Sequence, residues 1–218
     1  MTRDDGPNPL INRRLFLASL GGMTAIAIGA ISTRRSRTYE SAHARPTEVI
    51  LMRHAEEPPR GPHLSEQGMA RANALPGFFI ARGLPPTALF AARSTRSSSR
   101  PVETLDPLAA ALGLRIDDSC GDEQYAKLAD LIRSRRDYAG GHIVVCWHHG
   151  TIANLAAALD VVRPPAWPVM QYDHIWQIRY DRGHAVLTDE PEHLLPGDGD
   201  APAADVQAGS RTISGLHS

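Results

Sequence analysis

Cysteine is scarce in this chain, and charge of neither sign is in excess. Only two of the 218 residues are cysteine, which excludes a small scaffold held by several disulfides and the four-cysteine spacing of a structural zinc site. Lys and Arg number 23 against 24 Asp and Glu, so no overall positive field is present to hold a nucleic acid. Cys146 lies in an apolar run and is expected to be a buried thiol rather than the disulfide partner of Cys120.

Length and composition favour one ordinary globular domain with tails. The chain is 42% hydrophobic and 22% charged, close to the average of soluble domains, and this composition excludes wholesale disorder and a polytopic membrane protein. A core of useful size can therefore form.

The first 44 residues have the features of an export signal, which are a basic start, an apolar middle and a small-residue cleavage site. Arg13 and Arg14 precede a weakly apolar stretch over 15–31, and 42–44 (AHA) form a small-x-small cleavage site. This stretch is too short to span a bilayer, which takes about 20 residues. Residues 1–44 are predicted to be a twin-arginine-like signal peptide, which engages the twin-arginine export machinery and delivers a periplasmic or extracellular protein without stable membrane insertion after cleavage. An uncleaved membrane anchor and an amphipathic terminal helix are the alternatives.

Beyond this segment, apolar runs of strand length alternate with helical patterns. The predicted strands cover 47–52, 88–92, 142–147, 174–180 and 185–188. Four helices are predicted. Two of them begin at Ser65 and Pro101, and the other two cover 122–135 and 151–159. Such alternation predicts βαβ units, hence a three-layer α/β/α sandwich with a mostly parallel central sheet. The domain is assigned to 45–195, and 196–218, rich in Gly, Pro and Ala, is expected to be a flexible tail.

Three predicted strand ends carry reactive side chains. Arg53 and His54 follow the first strand, an arginine-rich segment over 93–100 follows the second, and His148 and His149 follow the third. In parallel sheets ligands bind outside the carboxyl ends of the strands. Guanidinium groups bind phosphoryl oxygens bidentately, and a neutral imidazole is a competent nucleophile near pH 7. The pattern predicts a site for a phosphoryl dianion.

Four segments, taken in order, resemble the histidine phosphatase superfamily with its phosphoglycerate mutase-like fold. Residues 51–56 (LMRHAE) resemble the RHG-type signature in an RHAE-type branch. Residues 64–72 (LSEQGMARA) resemble the stretch that follows it. Residues 100–104 (RPVET) resemble the element that carries a second phosphate-binding arginine, and 144–150 (VVCWHHG) resemble the closing strand and histidine.

The resemblance implies phosphoryl transfer in two steps without a metal or other cofactor. His54 attacks phosphorus and becomes a phosphohistidine, while Arg53, Arg100 and a histidine from the closing element hold the oxygens. Water then hydrolyses the intermediate. The substrate is expected to be a small phosphorylated compound, and a phosphoprotein is an alternative.

Two assignments stay open within the resemblance. The family has one histidine where this chain has two: His149 matches the His-Gly pattern and is the preferred catalytic residue, with His148 beside it as a phosphate-binding or wall residue. The general acid has three candidates, Glu123 first, followed by Asp122 and Glu56.

Other classes of function are consistent with parts of the pattern. The same fold could serve as a catalytically inactive phosphate-binding or scaffold protein, and three histidines could form a metallohydrolase site. Arg93, Arg96, Trp167 and Trp176 are expected near the mouth of the site. The stretch from Thr104 to Ile143 leaves no room for a large lid, which favours hydrolysis over transfer to a second substrate.

Overall fold

The computed structural model describes residues 45–199. The strands and helices, in chain order, are β1 (Glu48–Arg53), α1 (Glu66–Ala81), β2 (Ala88–Ala91), α2 (Arg100–Leu112), β3 (Ile116–Asp117), α3 (Tyr125–Ser134), β4 (His142–Trp147), α4 (Ile152–Ala158), β5 (His174–Asp181) and β6 (His184–Pro191). Short 3₁₀ helices at Asp122–Gln124 and Arg136–Tyr138 flank α3.

The six strands form one sheet in the order β3-β2-β4-β1-β5-β6. The first four are parallel, and β5 runs antiparallel to both of its neighbours. Side chains of β1 alternate between two cores: Ile50 and Met52 pack with α1 and α2, whereas Val49 and Leu51 pack with α3 and α4. Helices thus cover both faces of the sheet, and the predicted three-layer sandwich with a mostly parallel sheet is confirmed.

Local signals in the sequence explain where the helices begin and end. The Ser65 hydroxyl caps α1 by accepting from the amide of Gly68 at 3.1 Å, as its position before the helical pattern predicts. Gly113 ends α2 with a φ of 65°, a conformation that glycine adopts without strain. The predicted helix over 122–135 begins later, because its first residues form the 3₁₀ helix Asp122–Gln124.

Buried positions confirm one expectation and correct another. Cys120 and Cys146 are both buried and unpaired in a disulfide, and burial raises the pKa of the Cys146 thiol. Trp167 and Trp176 were expected at the mouth of the site, but both are buried in the core beside α4. That expectation is wrong, because the two indole rings lie against each other, with centroids 4.8 Å apart, and bury their large apolar area in the core.

The export prediction falls on residues 1–44, which lie outside the described part of the chain, as does most of the predicted tail. Within residues 45–199, no helix has both the length and the apolar character needed to cross a bilayer.

A buried arginine joins α1 to the end of β6. Arg71 contacts three carboxylates: Glu56 at 2.8 Å, Asp198 at 2.8 Å and Glu192 at 3.2 Å. Burial opposes the charge on Arg71, but its bonds to Asp198 and Glu56 outweigh that cost and raise the pKa of Arg71. Burial also raises the pKa of Glu192 to about 8 against the attraction of Arg71. The shared guanidinium is already neutralised by the other two carboxylates, so Glu192 stays protonated at neutral pH.

Glu192→Gln is expected to stabilise the protein increasingly as pH rises. The unfolded chain ionises this carboxyl near its ordinary 4.5, whereas the folded protein keeps it neutral up to about pH 8. Wild type therefore loses stability between these two values, and the glutamine variant does not. The difference in free energy of unfolding should be near zero at pH 4 and roughly 2–4 kcal/mol at pH 8, measured by urea denaturation.

Glu66→Gln is the matched control, because Glu66 is exposed in the first turn of α1 and its change should stay within about 0.5 kcal/mol at every pH. A pH-independent difference for Glu192→Gln would mean that Glu192 is ionised beside Arg71.

Candidate active site

The sheet order brings the predicted residues to one edge. Strand β4 lies between β2 and β1, with Arg53 opposite Trp147 in register. The His54 amide donates to the Trp147 carbonyl at 3.0 Å, so the histidines after β4 adjoin those after β1. Arg100, at the start of α2, acts electrostatically on Arg53, His54 and His148. The three strand ends therefore contribute to one site.

His54 is held as a neutral imidazole with a defined tautomer. The residue is 2% exposed, and Nδ1 lies 2.8 Å from the Ala55 carbonyl oxygen. A carbonyl oxygen only accepts, so Nδ1 carries the proton and Nε2 carries the lone pair. Burial, and then the charge of Arg53, lower the pKa of His54 to about 3 despite the bond to Ala55. The ring is thus poised as a nucleophile rather than an imidazolium.

Arg53 is fixed by the loop before β5. Its guanidinium carbon lies 3.7 Å from the ring centroid of Tyr172, Nη2 donates to the Tyr172 hydroxyl at 2.9 Å, and Nη1 donates to the Val169 carbonyl. Burial lowers the pKa of Arg53, although Glu57 and Tyr172 oppose that shift. Within residues 45–199, Arg53 Nε has no hydrogen-bond partner. A buried N–H group of this kind can donate a hydrogen bond to an oxygen of a bound anion.

A carboxylate lies between the two arginines. Glu57 Oε2 is 2.6 Å from Arg100 Nη1, and Glu57 Oε1 is 3.6 Å from Arg53 Nη2. The remaining nitrogens of Arg100 donate to the carbonyls of Gly61 at 2.9 Å and His63 at 3.3 Å. Both guanidinium groups are therefore aimed at a common point that already holds a negative charge.

Thr104 joins the arginine helix to the histidine strand. Its Oγ1 accepts from the Ala55 amide at 2.9 Å and donates to the Arg100 carbonyl at 2.7 Å. This buried hydroxyl fixes the backbone of both functional residues, which explains why an arginine and a threonine four residues apart form one element of the sequence pattern.

The two adjacent histidines occupy different positions. The His148 ring meets that of His54 edge-on, with centroids 5.2 Å apart. Burial lowers the pKa of both His148 and His149, so both rings are neutral near pH 7. His149 Nδ1 is buried without a partner among the described residues. Of the two, His148 is the one seen in ring contact with His54.

The acid candidates from the sequence differ in their surroundings. Glu123 is exposed on its 3₁₀ helix, and Glu56 is engaged by Arg71 through both carboxylate oxygens. Asp122 accepts from the Thr151 hydroxyl and acts on both histidines after β4. Glu57 was not among the candidates, although it directly follows the RHAE segment.

Arg93, which the sequence predicts near the mouth of the site, is exposed and donates to the Ser119 carbonyl.

A cleft of about 460 Å³ opens beside Arg100 and is lined by Glu57, Pro58, Arg60, Met170 and Tyr172. Its walls combine apolar side chains with two cationic ones. The described residues contain no group of three or more His, Cys, Asp or Glu side chains arranged to hold a metal ion.

Comparison with known proteins gives structural likeness alone. No protein-family model matches the chain, and no curated protein matches it. Among solved structures, mycobacterial glucosyl-3-phosphoglycerate phosphatase with inorganic phosphate is 19% identical, with a TM-score of 0.46 over 65% of this chain and 95% of that one. Phosphoserine phosphatase from Entamoeba histolytica is 16% identical, with a TM-score of 0.47 over 68% and 99% of the two chains.

Phosphoglycerate mutase from Bacillus anthracis is 14% identical, with a TM-score of 0.45 over 67% of this chain and 93% of that one. Identities this low say nothing of the reaction, so the chemistry of the site depends on the side chains described above.

Proposed function

We propose that this chain is a metal-independent phosphatase that hydrolyses phosphomonoesters through a phosphohistidine on His54. The observation that carries the proposal is the position of the neutral His54 ring beside two arginines that converge on one anion position. A lone pair on Nε2 supplies the nucleophile, and the guanidinium groups stabilise the charge on the phosphoryl oxygens.

The roles of the other residues follow from their places. Arg53 offers its unpaired Nε, and Arg100 offers the nitrogen that Glu57 now occupies. His148 would donate to a phosphoryl oxygen from the side of its contact with His54. His149, preferred from the His-Gly pattern, would serve as the neighbouring wall residue. Positioning and charge stabilisation account for most of the catalysis in such reactions.

Hydrolysis is favoured over transfer to a second substrate. Between α2 and β4 the chain forms only β3, α3 and short 3₁₀ helices, so no inserted lid covers the cleft from this segment. An open site admits water to the phosphoenzyme. We therefore propose a small phosphorylated compound as substrate. Export through the twin-arginine-like segment stays a prediction from the sequence.

Turnover of p-nitrophenyl phosphate by the purified protein, with and without a chelator, tests the proposal. Release of phosphate that is unchanged by the chelator is expected. Binding of phosphate without turnover would support the inactive scaffold, and activity lost in chelator and restored by metal would support the metallohydrolase.

Arg100→Lys is expected to lower kcat/KM for p-nitrophenyl phosphate by about 10²-fold. Lysine keeps the charge but loses the planar fork that contacts the anion position and the carbonyls of Gly61 and His63. Arg115→Lys, at an exposed arginine outside the site, is the control and should keep wild-type kinetics. Near-wild-type kinetics in Arg100→Lys would mean that Arg93 or Arg96 provides the second contact.

A further inference from the structure

Glu57 occupies the position between Arg53 and Arg100 at which a phosphoryl group would bind. Its carboxylate bridges Arg100 and Arg53, and the Tyr172 hydroxyl lies 3.5 Å from Oε1. The side chain is 34% exposed and lines the cleft. It therefore borders both the anion position and the space into which the rest of a substrate would extend.

The direction of attack places the leaving group on the side of this cleft. His54 is buried, and its ring centroid lies 6.1 Å from that of Tyr172, which lines the cleft. In-line displacement expels the leaving oxygen opposite the attacking nitrogen. The cleft is lined by Glu57, Arg100 and Tyr172, so the leaving oxygen would emerge among these three. Among them, Glu57 is the only carboxyl group.

The other acids are placed less well for this step. Glu56 is engaged by the buried Arg71, Glu123 is exposed on the surface, and Asp122 is bonded to Thr151 on the side of His148. A dianion bound between the arginines would favour the protonated form of a carboxyl beside it, because two negative groups at short range repel each other. Substrate binding would thus prepare Glu57 to give up a proton.

We propose that Glu57 is the general acid of this phosphatase, an inference that rests on the proposed function. In the first step, His54 Nε2 forms a bond to phosphorus, the bond from phosphorus to the leaving oxygen breaks, and that oxygen takes the bonding pair and the proton of Glu57. In the second step, water attacks phosphorus and gives a proton to the Glu57 carboxylate. The phosphorus–nitrogen bond then breaks, and its electron pair returns to His54.

Glu57→Gln tests this role through the dependence on leaving group. Glutamine keeps the shape of the side chain but has no acidic proton. A poor alkoxide leaving group needs protonation, whereas nitrophenolate leaves without it. The variant should lose about 10²–10⁴-fold in kcat/KM for glycerol 2-phosphate and less than about tenfold for p-nitrophenyl phosphate. Glu57→Asp, which keeps a carboxyl, should recover part of the first loss, and Glu66→Gln should match wild type on both esters.

Two results would overturn the role of Glu57 while leaving the phosphatase intact. Equal losses on both esters would make Glu57 a residue that merely orients the arginines. Faster turnover of both, with tighter inhibition by inorganic phosphate, would make it a carboxylate that substrate displaces. A wild-type protein that hydrolyses neither ester would overturn the proposed function and this role together.

Discussion

His54→Ala is expected to reduce kcat for p-nitrophenyl phosphate by roughly 10⁴-fold or more, because the variant lacks the atom that accepts the phosphoryl group. The wild-type ring is neutral, and its Nδ1 proton is committed to the Ala55 carbonyl, so the Nε2 lone pair is available to attack phosphorus. Brief incubation of wild type with a labelled phosphomonoester should leave acid-labile, base-stable phosphate on the protein.

His184→Ala provides the matched control for this loss. His184 is exposed at the turn between β5 and β6, away from the site, and its removal should leave both kcat and the label unchanged. Label found on serine, or none under quenched single-turnover conditions with active enzyme, would contradict the assignment.

His148→Ala is expected to cost about 10²–10³-fold in kcat/KM, and His149→Ala less than about tenfold. The His148 ring contacts that of His54, and the positive charge of Arg100 acts on it. The N–H group of His148 would therefore reach a phosphoryl oxygen bound at this position. His149 has no such ring contact in the described part of the chain, although the charge of Arg53 contributes to lowering its pKa.

The two variants control for each other, since they remove the same side chain from adjacent positions. Equal thermal stability, checked by circular dichroism, would assign the difference to catalysis. A larger loss in His149→Ala would reverse the roles and support the match to the His-Gly pattern.

Much of the fold was predictable because its signals are local. The apolar runs of β1 and β4 are long enough to identify buried strands, Ser65 and Gly113 mark helix ends, and right-handed parallel connections place the strand ends together. The placement of Arg53, His54 and Arg100 at one edge follows from that topology. Strand β3 was missed, because two residues carry no detectable period.

The remaining site residues depend on tertiary contacts. Tyr172 and Val169 approach Arg53 from a loop more than a hundred residues away, and no motif marks that loop. Adjacent side chains within a strand point to opposite faces, but β4 ends at Trp147. Both histidines therefore lie beyond the pleat, where alternation no longer applies.

The loop that seats Tyr172 on Arg53 carries its own optical reporter. Trp167 packs against Trp176 with ring centroids 4.8 Å apart, and its indole N–H donates to the Gln171 carbonyl at 2.9 Å, one residue before Tyr172. Displacement of this loop would change the surroundings of the indole at the same time as it uncovers the guanidinium. Intrinsic tryptophan emission can therefore follow, without any added dye, whether the anion position is assembled.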